Sequence, residues 1–172
     1  PAAFEELAAA LIKMKDLVGA RSALESALSL VPEDRTAILA MANLESLEGT
    51  PGKAEARLRN LVERYPSDLA LLNLLADNLA EQGKQVLAID TYQRIIQLNP
   101  SSAEAYNDLG LALQKKEDIS SATNMFKKAI SLDPAFVEPR INLGNIYLTS
   151  RIYNDASAQY QKALELKADN RL

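Results

Sequence analysis

Residues 101–134 read SSAEAYNDLGLALQKKEDISSATNMFKKAISLDP, and this stretch decides the fold. Four residues of its first half fall at spacings i, i+3, i+4 and i+7, which is one face of a helix: Tyr106, Leu109, Gly110 and Leu113. After five polar or charged residues, a second apolar helical face runs from Ile119 to Ile130. Two amphipathic helices joined by a short turn cannot bury both faces alone, so the stretch predicts a helical pair that stacks on similar neighbours.

The helical pair recurs five times with a period of 34 residues. Every copy has alanine at one slot of the second helix: Ala20, Ala54, Ala88, Ala122 and Ala156. One slot of the first helix is always small: Ala8, Ala42, Ala76, Gly110 and Gly144. One slot of the second helix is always large: Leu24, Leu58, Tyr92, Phe126 and Tyr160. The sequence therefore predicts one array over residues 1–172, with units at 1–34, 35–68, 69–102, 103–136 and 137–170.

The pattern resembles the tetratricopeptide repeat family. The fourth unit carries the residues of that family's signature: Tyr106, Leu109, Gly110, Leu113, Ala122, Phe126, Ala129 and Pro134. The resemblance implies an all-α fold, an α-α superhelix or right-handed solenoid of five helix-turn-helix units. It also implies a surface that holds partner proteins.

The composition argues against catalysis. Histidine and cysteine are both absent, which removes the commonest general base, disulfides and zinc sites of the ordinary type. No Gly-rich phosphate loop occurs, and adjacent carboxylates such as Glu33 and Asp34 do not face a shared substrate on a helix. We therefore expect a protein that is not an enzyme and that needs no cofactor and no metal.

Charge and hydropathy limit the classes of partner that we expect. The formal net charge is −4, and the lysine pairs are flanked by acidic or apolar residues, so no nucleic-acid partner is expected. No apolar run approaches 18 residues, so no membrane insertion is expected. A soluble chain without cysteine suits the cytoplasm and the periplasm equally, and the compartment stays open. The 172 residues also fit an excerpt of a longer protein.

In proteins of this family the first helix of each pair lines a concave groove. The resemblance therefore assigns a set of outward positions, which we call the groove residues: Asn43, Asn73, Leu74, Asp77, Glu104, Asn107, Asp108, Leu111, Glu138, Ile141, Asn142 and Asn145. Asparagine amides donate and accept together, which suits an extended peptide backbone. The carboxylates favour a basic peptide that carries Lys or Arg.

Two binding modes of the family fit this set poorly. A clamp for C-terminal carboxylates would be repelled by Asp77, Asp108 and Glu138. The asparagine ladder of sugar-transferase arms would need Asn just before the conserved Leu in every unit, and only Asn142 matches. The favoured hypothesis is a scaffold that holds a peptide or protein segment in its groove. The alternatives are a self-assembling structural array and the repeat arm of a larger enzyme such as a glycosyltransferase.

The end faces of the array suggest self-association. The last helix keeps large residues such as Tyr160 and Leu164 in slots that earlier copies are expected to bury. Leaving two such side chains in water forgoes about 3–6 kcal/mol of burial. We therefore expect homo-oligomers that form through exposed end faces.

Local signals refine the picture at four points. Asp16 and Thr50 are placed to cap second helices, because their side-chain oxygens can accept from free backbone N–H groups. Ser101 and Glu104 have the spacing of a capping box. Glu45 departs from the pattern, since it stands in a slot that holds Leu or Tyr in the other units.

Overall fold

The computed structural model describes residues 1–169, and its ten elements are all α-helices. Their bounds are α1 Ala2–Lys13, α2 Leu17–Leu30, α3 Arg35–Leu47, α4 Pro51–Arg64, α5 Leu69–Glu81, α6 Gln85–Leu98, α7 Ala103–Lys115, α8 Ile119–Leu132, α9 Glu138–Thr149 and α10 Tyr153–Asp169. The all-α prediction is confirmed, and each predicted unit contains two helices. The last residue of the fifth predicted unit, Asn170, lies outside the described residues, as do Arg171 and Leu172.

Aspartate caps start several of these helices. Asp16 accepts a hydrogen bond from the backbone N–H of Gly19 at 2.9 Å, as predicted. Asp34 and Asp68 accept from two backbone N–H groups each at the starts of α3 and α5. Asp118 caps α8, and its hydrogen bond from Ser121 lowers the pKa of the carboxyl group. Each cap satisfies donors that the first turn of a helix leaves without an intrahelical partner.

One predicted cap is wrong, and another is right in position but makes no capping hydrogen bond. Ser102, and not Ser101, caps α7: its hydroxyl accepts from the backbone N–H of Ala105 at 3.1 Å and donates to Glu104 at 3.0 Å. Thr50 is the N-cap residue of α4, as predicted, but its hydroxyl donates to the backbone carbonyl of Glu45 at 2.9 Å and accepts no capping hydrogen bond. In each case a neighbouring acceptor or donor competes with the cap geometry that the spacing alone suggests.

The described chain forms two compact units, Pro1–Gly83 and Lys84–Leu172, of which the second is described to Asp169. In the first unit α2 packs against α1 and α3, and α4 packs against α3 and α5. In the second unit α7 packs against α6 and α8, and α9 packs against α8 and α10. First helices also meet directly, α1 with α3 and α7 with α9.

The core depends on size complementarity between paired helices. All five alanines of the series at Ala20 are buried. In the second unit, a Cβ added to Gly110 would lie 2.6 Å from the ring of Phe126, and one added to Gly144 would lie 2.7 Å from the ring of Tyr160. In the first two repeats the same slots hold alanine and leucine, as in Ala8 and Leu24, and in the third they hold Ala76 and Tyr92. At Gly110 and Gly144 the facing ring comes so close that glycine leaves the room it needs.

Ion pairs join neighbouring helices of the first unit. Glu45 is 1% exposed, and both of its carboxylate oxygens lie 3.0 Å from Nε of Arg57. Arg21 on α2 donates to Glu48 at the end of α3, which lowers the pKa of the Glu48 carboxyl and raises the pKa of the Arg21 guanidinium. Glu45 thus takes a slot that leucine or tyrosine fills in the other repeats, and its buried carboxylate is paired with the partly exposed Arg57.

The size rule predicts opposite results for two glycine substitutions. Gly110→Ala should lower the free energy of unfolding, because overpacking costs about 1–3 kcal/mol and the gain in helix propensity is at most about 1 kcal/mol. Gly52→Ala is the matched control in α4: no heavy atom lies within 4 Å of the added Cβ, so stability should rise by up to about 1 kcal/mol. Denaturant unfolding measures both changes.

A double variant tests the same rule more strictly. Gly110→Ala combined with Phe126→Leu recreates the alanine–leucine pair of the first unit. The combined loss of stability should therefore be smaller than the sum of the two single losses. Additive losses would show that Gly110 and Phe126 do not share one packing constraint.

Candidate functional site

A pocket between α3 and α5 brings together three groove residues of the first unit. Asn43, Leu74 and Asp77 line this α3–α5 pocket, whose volume is about 160 Å³. The rest of its lining consists of Leu39, Ala42, Ser46, Leu58, Asn78 and Glu81. Leu74 remains 41% exposed although it borders the cavity. The pocket thus combines apolar walls with two carboxylates and an exposed asparagine amide.

Hydrogen bonds among residues at the base of the pocket connect its helices. The buried Asn78 donates to the hydroxyl of Ser46 at 3.1 Å and accepts from Gln82 at 2.7 Å. Gln82 also donates to Glu55 on α4 at 3.0 Å. Because these bonds tie α5 to both α3 and α4, the pocket has a fixed polar floor.

Two polar residues of this site were missed by the sequence analysis. Glu81 lies one turn after Asp77 on α5, and that i+4 spacing is the signal that could have found it. Asn78 has no comparable signal, because the equivalent position holds an apolar residue in each of the other repeats. Asn73, a predicted groove residue, is half-buried on the same helix and does not line the pocket.

In the second unit the structure corrects the placement of Asn107. This residue was predicted to face outward, but it is only 6% exposed. Its carbonyl oxygen accepts from the amide of Asn142 on α9 at 3.0 Å, and its own amide donates to Asp108 at 3.1 Å. Asn107 is buried because α9 packs against α7 and covers it. The two asparagines therefore join two repeats through their amides.

A cavity of the second unit lies beside Ile141. It has a volume of about 300 Å³ and is otherwise lined by Tyr160, Ala163, Leu164 and Lys167. The hydroxyl of Tyr160 donates to the side-chain oxygen of Asn145 at 2.7 Å, which fixes the ring that forms one wall. The lining is apolar except for Lys167 and the Tyr160 hydroxyl.

The remaining groove residues of the second unit lie at the surface. Glu104 and Glu138 are exposed in the first turns of α7 and α9, and Leu111 is exposed on α7. Asp108 is half-buried and accepts from Asn107. Acidic groups thus recur along the first helices, with aliphatic side chains between them.

These surfaces offer hydrogen bonds, charge and apolar contact. Within residues 1–169, no three histidine, cysteine, aspartate or glutamate side chains are arranged to hold a metal ion. No helix in that range has both the length and the apolar content that a membrane crossing requires.

Comparison with known proteins gives the same family for nearly the whole chain. Models described as "Tetratricopeptide repeat" match residues 11–77, 103–136 and 137–170, and a model described as "TPR repeat" matches residues 76–117. The chain belongs to the tetratricopeptide repeat family. Its fold class is accordingly that of tetratricopeptide solenoids, as predicted. No curated protein sequence matches it significantly.

Solved tetratricopeptide proteins have the same fold. A crystal structure of MamA is 24% identical, with a TM-score of 0.80 and 96% of each chain covered. The pilF protein of Pseudomonas aeruginosa is 20% identical, with a TM-score of 0.80, covering 95% of this chain and 75% of that one. YrrB, described as "a TPR protein with an unusual peptide-binding site", is 21% identical, with a TM-score of 0.70, covering 96% and 86%. The tetratricopeptide fold supports protein–protein interaction in general.

The hydrogen bonds of the asparagine side chains distinguish asparagines that stabilise the fold from asparagines that are only exposed. Asn142→Ala should destabilise the fold by about 1–3 kcal/mol, because it leaves the buried carbonyl of Asn107 without its donor. Asn43→Ala is the matched control, since the Asn43 side chain is exposed and makes no hydrogen bond within the described residues, and it should change stability by less than about 0.5 kcal/mol. Thermal unfolding compares the two. Equal stability of both variants would mean that the amide bridge contributes nothing.

Proposed function

We propose that the protein is a non-catalytic interaction module that binds a peptide or protein segment on the first helices of its repeats. The observation that carries this proposal is the α3–α5 pocket, where Leu39 and Leu74 provide apolar walls next to Asp77 and Glu81. Its volume of about 160 Å³ is below the size of typical small-molecule sites and suits a single aliphatic side chain.

The polar groups around the pocket favour a basic peptide. Asp77 and Glu81 would attract a lysine or arginine beside the buried aliphatic side chain. Asn43 has an exposed amide that can donate to and accept from a peptide backbone. The fold shared with YrrB supports this proposal, because YrrB is described as a tetratricopeptide protein that has a peptide-binding site.

The second unit would contribute further contacts of the same kind. Asp108, Glu104 and Glu138 supply negative charge, while Leu111 and Ile141 supply apolar contacts. Asn107 contributes to the architecture of this surface, since its amide group is engaged within the unit.

Charge reversal tests this proposal. Asp77→Lys and Asp108→Lys should each weaken the binding of a basic partner peptide, mainly through a lower association rate and most strongly at low salt. Glu63→Lys is the matched control, because Glu63 is exposed on the second helix α4 and not on a first helix. Stopped-flow association at two ionic strengths measures the effect. Equal rates for the control and both groove variants would exclude the first helices as the recognition surface.

Self-association is a second candidate, and one comparison of burial favours it. Leu7 on α1 is 48% exposed, whereas Met41, Leu75, Leu109 and Leu143 in the same slot are at most 4% exposed. At the other end Leu164 is 68% exposed beside the apolar cavity of α9 and α10. Two end faces thus present side chains of the kind that stacking buries elsewhere in this chain.

Light scattering over a concentration series tests self-association of the 172-residue chain. We expect association at about 0.1 mM, since burying several such side chains supports a micromolar dissociation constant. Leu164→Glu should abolish it, whereas Val18→Glu, at an exposed position on α2, should not. A two-fold contact would stop at dimers and an end-to-end contact would propagate. A strictly monomeric wild type would refute the idea.

A further inference from the structure

The first unit has another cavity, which lies between α2 and α4. This α2–α4 crevice has a volume of about 330 Å³ and is lined by Leu28, Pro32, Ile38, Ala56, Arg57 and Asn60. It is distinct from the α3–α5 pocket. Leu58 lines that pocket, and on an α-helix it points about 160° away from both Ala56 and Asn60.

A buried carboxylate orients the one charged group in this crevice. Glu45 holds Nε of Arg57 with both carboxylate oxygens at 3.0 Å. The terminal nitrogens of the same guanidinium donate to no side chain or backbone group within residues 1–169, and the Arg57 side chain is 38% exposed. Arginine presents donors in a rigid fork, so the fixed guanidinium offers its remaining N–H groups to a second acceptor.

The crevice arises from residues that differ between repeats. In the fourth repeat, the slots of Ile38 and Ala56 hold the larger Tyr106 and Asn124. There, Nζ of Lys128 lies 6.0 Å from the centroid of the Tyr106 ring. The same repeat has Leu113 and Met125 in the slots of Glu45 and Arg57. The fold therefore requires neither these residues nor the ion pair, and the Glu45–Arg57 pair is particular to the second repeat.

We propose that the α2–α4 crevice binds a segment of a partner protein in which an aliphatic side chain stands next to an aspartate or glutamate. The aliphatic group would enter between Leu28 and Ile38, and the carboxylate would accept hydrogen bonds from Arg57. Because the apolar floor and the guanidinium line one cavity, both groups of the partner must be close together in its sequence. Asn60 at the rim can donate to or accept from the partner's backbone.

The charge of α4 favours an acidic partner. This helix carries four basic residues, Lys53, Arg57, Arg59 and Arg64, and two acidic ones, Glu55 and Glu63, which gives +2 in a chain of net charge −4. Arg64 pairs with Glu33 at 2.9 Å, but Glu33 is largely exposed, so this pair is weak and exchangeable. The first helices of this unit, α1, α3 and α5, carry net charges of −1, 0 and −2 by contrast. The two surfaces would take partners of opposite charge, and the crevice proposal does not depend on the groove.

Three capped, glycine-flanked peptides test the proposal on the full chain, with a central Leu-Glu, Leu-Gln or Ala-Glu. Titration is followed by the methyl NMR signals of Leu28 and Ile38. The Leu-Glu peptide should shift both signals, and the other two should bind at least about tenfold more weakly, because each lacks one of the two recognised groups. Absence of shifts with Leu-Glu, or equal binding of Leu-Gln, would overturn the proposal.

Two double variants use residues that the fourth repeat already carries in these slots. Ile38→Tyr with Ala56→Asn fills the crevice. Glu45→Leu with Arg57→Met removes the guanidinium without leaving a buried carboxylate unpaired, and such replacements usually preserve stability. Each should weaken Leu-Glu binding at least about tenfold while the helical circular dichroism is retained. Wild-type affinity in a folded double variant would overturn the proposal.

Two further titrations separate the crevice from the groove and from a phosphate-binding surface. Asp77→Lys should bind the Leu-Glu peptide as the wild type does, so a failure of the groove proposal and a failure of the crevice proposal give different results. A single-stranded DNA oligonucleotide should leave the Leu28 and Ile38 methyl signals unchanged. If the oligonucleotide shifts them at lower concentration than the peptide, the crevice recognises phosphate and the proposal is wrong.

Discussion

The close approach of paired helices is the constraint on which the rest of the structure depends. Each second helix presents a buried alanine, and the first helices of the fourth and fifth repeats present Gly110 and Gly144 to the rings of Phe126 and Tyr160. The cost of an extra methyl group in such a seam makes the sizes at these slots interdependent, as the glycine at Gly110 opposite Phe126 shows. These contact surfaces determine how the paired helices pack. The residues on the outer sides of the helices can therefore vary, and partner recognition can occur there.

The two units use different chemistry at the seams between their repeats. In the first unit, the ion pair of Arg21 with Glu48 and the hydrogen bond from Gln82 to the Glu55 carboxylate cross these seams, beside the neutral bond from Asn78 to Ser46. In the second unit the amides of Asn107 and Asn142 make the equivalent link. Arg21 lowers the pKa of Glu48, so their link is lost only when the pH falls through that lowered pKa, whereas the amide link of Asn107 with Asn142 does not titrate. Similar helical frames therefore carry polar connections with different responses to pH.

The sequence predicted the features that depend on slot and period, and missed those that depend on a neighbouring side chain. The alanine series and the pairing of small with large residues were predictable, because each slot meets the same surroundings in every copy. The burial of Asn107 was not predictable, since it depends on Asn142 one repeat later. The position of Glu81 beside Asp77 was available from their spacing on α5, but its contribution to a pocket depends on Leu39 and Asn43 across the seam.

This distinction bears on where function is to be sought in a repeat protein. A residue that repeats in every unit is explained by the fold, so function belongs to departures from the repeat that carry a physical cost. Burying Glu45 is such a departure, because a buried ion pair seldom stabilises more than the apolar residues that could replace it. Leucine and methionine fill the same two slots as Leu113 and Met125, so the fold itself does not need the pair. What the pair adds is a guanidinium held in one orientation at the surface of an apolar crevice, which is a property of use to a binding site.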